Sequence, residues 1–314
     1  MRYKPYSDEV LRRLIDGDPV MWGPLAQASR SHRKRFAMAL QREQESAQEA
    51  GTLRYQARIL VQCSLPYRRP PVNEWTRHNG ILELSLMAPQ AIGLPYGAYP
   101  RLLLTWVTTE AVRTKKRELV LRDSLTRFMA DLGIARHANG EKIRRFKDQT
   151  RRLFNTTITS TMTDATRAMT DDIGFRLASR VQLWWTPWNN ASDASRIILT
   201  EEFFHLVTAH PVPVDLRAIK VLKGSALALD IYSWLVYRLG YLTKPTTIPW
   251  ELLQGQFGSD YAPTKSGRYA FKKEFQEQLR AVLQLYATAK VTADSLGVTL
   301  RPSRLHITRK PLSS

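Results

Sequence analysis

From residue 54 onward the apolar positions fall into short runs whose spacing switches between two and three-to-four, with polar or proline-rich breaks between them. Residues 55–63, with Ile59, Leu60 and Val61 at their centre, read as a strand, and Tyr67-Arg68-Arg69-Pro70-Pro71 breaks it. Asn79-Gly80 marks a turn, and residues 81–86 alternate as a half-buried strand does, so a small antiparallel sheet is expected here. Pro100 sits where a helix begins, and residues 101–113 are strongly apolar on one side. Asp123-Ser124 is a predicted N-cap ahead of Leu125, Phe128, Met129 and Leu132, which share one helix face until Gly133 ends it. A second helix is predicted from near Glu141, and residues 175–184 alternate as a strand.

The second half follows the same plan. Residues 225–239 form an apolar helix ended by Gly240, and residues 249–257 a short helix stopped at Gly258. The loop 259–267 leads to a long helix at 268–289, and residues 291–307 read as a hairpin turning at Ser295-Leu296-Gly297. There is no close sequence repeat, but one order occurs twice: apolar helix, short helix, turn, long basic helix, strands. That order predicts two winged helices in tandem. Upstream, residues 24–50 read as one helix ended by Gly51, carrying Arg30, His32, Arg33, Lys34 and Arg35 and then a glutamine- and glutamate-rich stretch. The expected fold is α+β and mostly helical. It comprises an N-terminal helical extension (1–53), a first winged-helix domain (54–190) and a second (191–314). The length of 314 residues suits two domains, each able to bury a core.

Charge narrows the possible partners. Lys and Arg number 47 against 28 Asp and Glu, a formal charge of +19. Such an excess costs self-repulsion and points to a polyanion: DNA, RNA or an acidic membrane. A membrane span is not expected. The longest charge-free apolar runs, 102–109 and 231–237, fall far short of the ~18 residues a span needs. The N-terminus lacks the apolar core of a signal peptide, so a soluble cytoplasmic protein is expected. One cysteine, Cys63, permits no internal disulfide and no cysteine-based zinc site.

Two helices carry the candidate chemistry. At 100° per residue, Ile143, Phe146, Thr150, Leu153, Phe154 and Thr157 occupy one arc. Arg144, Arg145, Lys147, Arg151, Arg152 and Asn155, with Asp148, fill the opposite side. Surface helices usually mix both signs to limit repulsion. Five cations against one acid suit phosphate contact and guanine edges in a major groove. In the second long helix Phe271, Phe275, Leu279, Val282, Leu285 and Tyr286 share one face. Tyr269, Lys273, Gln276, Glu277, Arg280 and Gln284 share the other, with Lys272 at the border, Arg268 at the start and Lys265 in the loop before it. Gln reads adenine and Arg reads guanine by paired hydrogen bonds, so this more mixed face suits base reading. Arg301, Arg304, Arg309 and Lys310 fall on or after the final hairpin, where a wing touches phosphate.

Catalytic signals are poor. The six histidines form no i, i+4 pair on a helix and no His-x-His pair. No P-loop, no Gly-x-Gly-x-x-Gly fingerprint and no Gly-x-Ser-x-Gly elbow occurs, so no enzyme, no metal and no cofactor are expected. Trp184, Trp185 and Trp188 read as packing residues.

The stretch Gly93-Leu94-Pro95-Tyr96-Gly97-Ala98-Tyr99-Pro100, continued to residue 104, resembles the plasmid-encoded RepA-type replication initiators. So do residues 108–114, 124–133, 149–154 and 213–218, and Ala228-Leu229-Asp230-Ile231-Tyr232-Ser233-Trp234-Leu235. The order and spacing of these pieces over about residues 55–310 carry the likeness. It implies a bacterial initiator with two winged-helix domains that binds direct repeats (iterons) in double-stranded DNA at a plasmid origin and assists strand opening. It also implies recruitment of the host initiator and replicative helicase, and exchange between dimers and monomers. By position, residues 141–157 and 268–286 would be the DNA-facing helices. A dimeric winged-helix transcription repressor is the alternative reading, and it calls for a palindromic operator in place of direct repeats.

Overall fold

The computed structural model describes Ala47 and residues 50–121, 125–134, 139–164, 169–183, 195–258 and 261–307. Most of the expected helix 24–50, the cap Asp123-Ser124, the three tryptophans at 184–188, and Arg309 and Lys310 lie outside the described residues. Nine helices and twelve strands alternate among the described residues, so the fold is mixed α and β with several small sheets. Helix makes up less than half of it, which corrects the mostly helical expectation.

The first half runs β1 (Leu53–Gln56), α1 (Arg58–Gln62), β2 (Glu74–Asn79), β3 (Leu82–Met87), α2 (Ala98–Thr114), β4 (Glu118–Leu121), α3 (Leu125–Asp131) and α4 (Gly140–Asn155). It continues through β5 (Thr157–Asp164), β6 (Met169–Arg176), β7 (Ala178–Gln182) and β8 (Ser195–Leu199). The second half runs α5 (Glu201–Ala209), β9 (Val212–Asp215), α6 (Leu216–Leu222), α7 (Ala226–Leu239), β10 (Thr246–Pro249) and α8 (Trp250–Phe257). It ends with α9 (Lys265–Leu283), β11 (Lys290–Ala293) and β12 (Gly297–Arg301).

Four elements depart from the expectation; one is the final hairpin, expected over 291–307, which ends at Arg301. The strand expected at 55–63 stops at Gln56, and α1 follows. Val61 N–H and Leu60 N–H both donate to Ala57 O, and the buried pair Ala57 and Val61 has helical spacing. The strand expected at 175–184 is two strands in different sheets. Phe175 and Leu177 are both buried with Arg176 exposed between them, and the alternation slips at Ala178, buried next to Leu177, where β7 begins in the other sheet. The long helix starts and ends earlier than expected, at Lys265 and Leu283, because Thr264 Oγ1 caps it by accepting from Gly267 N–H at 3.1 Å. Leu285 and Tyr286 are buried beyond its end.

The sheets reveal a repeated plan. The order helix, strand, helix, helix, strand, strand occurs as α2-β4-α3-α4-β7-β8 and again as α7-β10-α8-α9-β11-β12. In both, the first strand pairs with the last, and the last pairs with the middle one: β4-β8-β7 and β10-β12-β11, all antiparallel. The first copy carries an insertion, β5 and β6, which joins the β2–β3 hairpin in a four-stranded antiparallel sheet. Because β8 belongs to the first sheet, that sheet extends past residue 190.

The two halves share one buried cluster, which runs from Ala57 to Leu300. β1 pairs with β9 across them. Arg101 of α2, 6% exposed, locks onto α7. Its Nε donates to Asp230 Oδ1 at 2.8 Å and its Nη2 to Oδ2 at 2.7 Å. The remaining N–H groups reach the carbonyls of Leu65, Pro66 and Gly97. All five guanidinium donors therefore have acceptors, which is what makes a charge tolerable at this depth.

Candidate nucleic-acid interface

Helix α4 begins at Asn139, whose side chain accepts from Lys142 N–H at 3.1 Å. Its inner face buries Phe146, Thr150, Leu153 and Phe154, with the Phe146 ring edge-on to Phe128 at 6.0 Å and to Tyr99 at 6.1 Å. This is most of the arc expected from the spacing; Ile143 is half-buried, and Thr157 is exposed and opens β5 beyond the end of the helix. On the other side Arg144, Arg145 and Arg151 are exposed, and Lys147 and Asn155 half-exposed. Arg145 pairs loosely with Glu141 at 3.9 Å and lies over the Tyr99 ring.

Arg152 does not belong to this outward set, contrary to expectation. It is 8% exposed. Its Nε donates to Asp148 Oδ2 at 2.8 Å, its Nη1 to Leu94 O at 3.4 Å, and its guanidinium covers the Tyr96 ring. Together with Gln149, whose Oε1 accepts from Tyr96 N–H at 2.8 Å, it fastens the 93–97 segment to α4. The physical reason is the 93–97 segment, which lies over this side of α4 and encloses the guanidinium. Its pairing also draws off the charge of Asp148, which with Glu141 is one of two acids on the outer face.

A groove of about 660 Å³ opens between α4 and β7. Arg144, Lys147 and Arg151 line one side, and Arg176 and Arg180 the other. Arg176 Nη2 also donates to Phe154 O at 2.8 Å, bringing a cation to the C-terminal end of α4, where the helix dipole favours one. Sequence reasoning missed Arg176 and Arg180. Their only linear signal was an arginine at each of two outward positions of an alternating stretch.

Helix α9 buries Phe271, Phe275, Leu279 and Val282. Lys265, Arg268, Tyr269, Lys273 and Arg280 are exposed, and Lys272 and Gln276 half-exposed. Lys265, Tyr269, Lys272, Lys273, Gln276 and Arg280 fall within one arc of about 100° at helical spacing. Arg268 turns back, donating to Pro263 O at 3.3 Å, and Gln284 caps the C-terminus just past the last turn. A Cβ on Gly267 would stand 2.1 Å from Ala262 O, so only glycine lets the 261–264 segment close against the helix. Lys272 Nζ sits 5.1 Å above the Trp250 ring, and Trp250 Nε1 donates to Asp294 O at 3.0 Å. Those two contacts tie the outward face of α9 to the tip of the β11–β12 hairpin.

Among the described residues no group of three or more His, Cys, Asp or Glu is placed to hold a metal ion, and no helix is long and apolar enough to cross a membrane.

A helix with an outward cationic face is thus held in the same place in two copies of one topology. Residues 94–251, half of the chain, match the family model described as plasmid-encoded RepA protein. The chain belongs to this family of RepA-type replication initiators. The match takes in α2 to α7, including α4 and the whole β4-β8-β7 sheet, and stops before α9. Among solved structures, a selenomethionine derivative of domains 2 and 3 of RctB shares the fold at 11% identity. The TM-score is 0.50 over 78% of this chain and 95% of that one. A further structure of RctB domains 2–3 aligns at 11% identity and a TM-score of 0.47, over 77% and 94%. No curated protein matches the sequence.

Proposed function

We propose that this RepA-family protein starts plasmid replication by binding duplex DNA at the origin through two winged helices, presenting α4 in the first and α9 in the second. One observation carries the reading: the same helix–strand–helix–helix–strand–strand order, with the same strand pairing, makes an outward cationic helix the third helix of both halves. In a winged helix that third helix is the one that enters the major groove. Phosphate neutralisation along the α4 groove supplies affinity, and Gln276 and Arg280 of α9 supply base choice. Two such helices on one face of a duplex span successive major grooves about 34 Å, or ~10 bp, apart. The target is then a direct repeat near 20 bp, present in several copies. The protein works by binding alone, in the cytoplasm, without metal, cofactor or bond cleavage. Strand opening comes from bending and from crowding of protomers, and the exposed surface recruits the host initiator and helicase. Exchange between dimer and monomer separates autorepression from initiation.

A footprint of the purified protein on its own origin DNA tests this. Protection of regularly spaced direct repeats is expected. A single palindromic footprint moves the reading to a dimeric repressor, and no protected site at physiological salt defeats it. Supercoiled origin DNA incubated with the protein and magnesium or manganese is expected to stay uncut.

A further inference from the structure

The most exposed large apolar side chain among the described residues is Leu296, at 75%. It stands at the tip of the β11–β12 hairpin, and the tip is rigidly built. Asp294 Oδ1 accepts from Leu296 N–H at 2.8 Å and from Gly297 N–H at 3.1 Å, and Asp294 N–H donates to Gly297 O at 3.0 Å. The carboxylate is thus turned into the turn. Behind it, a Cβ on Gly297 would meet Ile248 O at 2.1 Å, so the hairpin lies hard against β10. The Trp250 ring then connects this tip to Lys272 on the outward face of α9. The leucine is therefore held out, on a stiff support, beside the helix assigned to the major groove. Its surroundings are polar and basic: Ser295 next to it, Lys272 across the tryptophan, and Lys290 and Arg301 paired at the hairpin base. A lone leucine in such a setting is too small an apolar surface for a protein interface. It is enough for a wedge, which needs one apolar side chain delivered between base pairs from the minor groove.

We propose that Leu296 is a DNA wedge. With α9 in a major groove, the hairpin tip enters the adjoining minor groove, and the leucine unstacks one base step and bends the duplex there. This rests on the DNA-binding reading above and adds to it a source of origin distortion that needs no nucleotide hydrolysis.

The test uses the full chain on an origin-repeat duplex carrying 2-aminopurine at successive positions, with bending read in parallel by gel mobility. The wild-type protein is expected to raise 2-aminopurine fluorescence at one step beside the α9 footprint. Leu296→Ser is expected to lose that rise and most of the bend, while Leu296→Phe keeps both. Insertion exchanges unstacking against burial of the side chain, so affinity for the repeat should change by less than about tenfold in Leu296→Ser. A saturated wild-type complex with no fluorescence rise at any step overturns the wedge, as does a rise that survives Leu296→Ser. So does a serine variant that changes only the association state in sedimentation. Failure of the wild-type protein to bind the repeat more tightly than a scrambled duplex is a different result. It removes the DNA reading itself, and the wedge goes with it.

Discussion

Arg180 decides whether the groove beside α4 is a phosphate channel. It lies on β7, across the groove from Arg144, Lys147 and Arg151 and on the same side as Arg176. Each phosphate neutralised by such a cation releases condensed counterions and adds about 0.9 to the slope of log affinity against log salt. Five cations engaged in this way set a slope of about −4.5, a loss of roughly 500-fold between about 50 and 200 mM salt. Arg180→Ala should bring the slope down by about 0.9, and Arg151→Ala by a similar amount. Both should weaken specific and scrambled duplexes alike, since backbone contacts carry no sequence information. Arg152→Ala is the internal contrast. Its guanidinium faces Asp148, Leu94 and Tyr96, so the slope should be unchanged, while stability falls by about 1–3 kcal/mol from the lost buried hydrogen bonds. Fluorescence anisotropy at four salt concentrations, with urea titrations alongside, measures both quantities. A wild-type slope in Arg180→Ala refutes the channel. A flattened slope in a folded Arg152→Ala protein refutes the assignment of that arginine to the interior.

The junction and the buried thiol give further tests. Asp230→Ala leaves the Arg101 guanidinium buried with three carbonyl partners and no counter-charge, which should cost about 3–5 kcal/mol in urea unfolding. The double replacement Arg101→Met with Asp230→Leu should cost less than that single change, and a larger loss in the double would show that apolar packing cannot substitute for the pair. Cys63 is fully buried, and burial pushes its thiol up to about 12 from an ordinary 9.0. Above pH 9 the unfolded chain gives up this proton and the folded chain keeps it. Its contribution is therefore complete below about pH 9 and drains away as the pH climbs toward 12, at no more than about 1.4 kcal/mol per pH unit. Burial raises Tyr67 in the same direction. Unfolding midpoints at pH 7, 9 and 10.5 should fall on the alkaline side, and Cys63→Ala should flatten that fall; an identical alkaline slope would show that the thiol is not involved.

What the chain revealed in one dimension follows from what each feature depends on. The inner faces of α4 and α9 were legible because Phe146, Leu153, Phe271 and Phe275 recur at helical spacing, and that spacing depends only on neighbours in sequence. Gly133 was a readable stop for the same reason, since its φ of +77° favours glycine. The β5–β6 hairpin was not legible. Its first strand is threonine-rich, with Thr157, Thr159, Thr161 and Thr163 at alternate positions facing Arg176, Gly174, Asp172 and Thr170 of the second, so one face carries no apolar signal at all. Helix α5 did have a signal, Thr200 capping Phe203 N–H ahead of Glu201 and Glu202 in the first turn, and it went unread. Arg152 shows the limit of the helical wheel. Its angle puts it among the outward residues, and only the approach of the 93–97 backbone, more than 50 residues away in sequence, takes it inside. The groove is equally non-local, because Arg176 and Arg180 come from strands of two different sheets.

The repeat of topology weighs more than the charge. On a chain of net charge +19 an exposed helix is expected to be basic by composition alone, and a basic face suits RNA or an acidic bilayer as readily as duplex DNA. Composition does not explain why cations cluster on the third helix of both copies, nor why Asp148 on α4 is tied down by a buried arginine. The family match covers only the first of these helices. The part given to α9 therefore stands on the equivalence of the two copies, and the two are separable by experiment. Arg151→Ala and Arg280→Ala should both weaken origin binding, but they should differ in kind. The first should lower affinity for every sequence, and the second should relax choice at one base position, at about 1–3 kcal/mol of lost discrimination. If Arg280→Ala instead behaves as Arg151→Ala does, α9 is a second phosphate clamp, and base selection must be sought in the first copy.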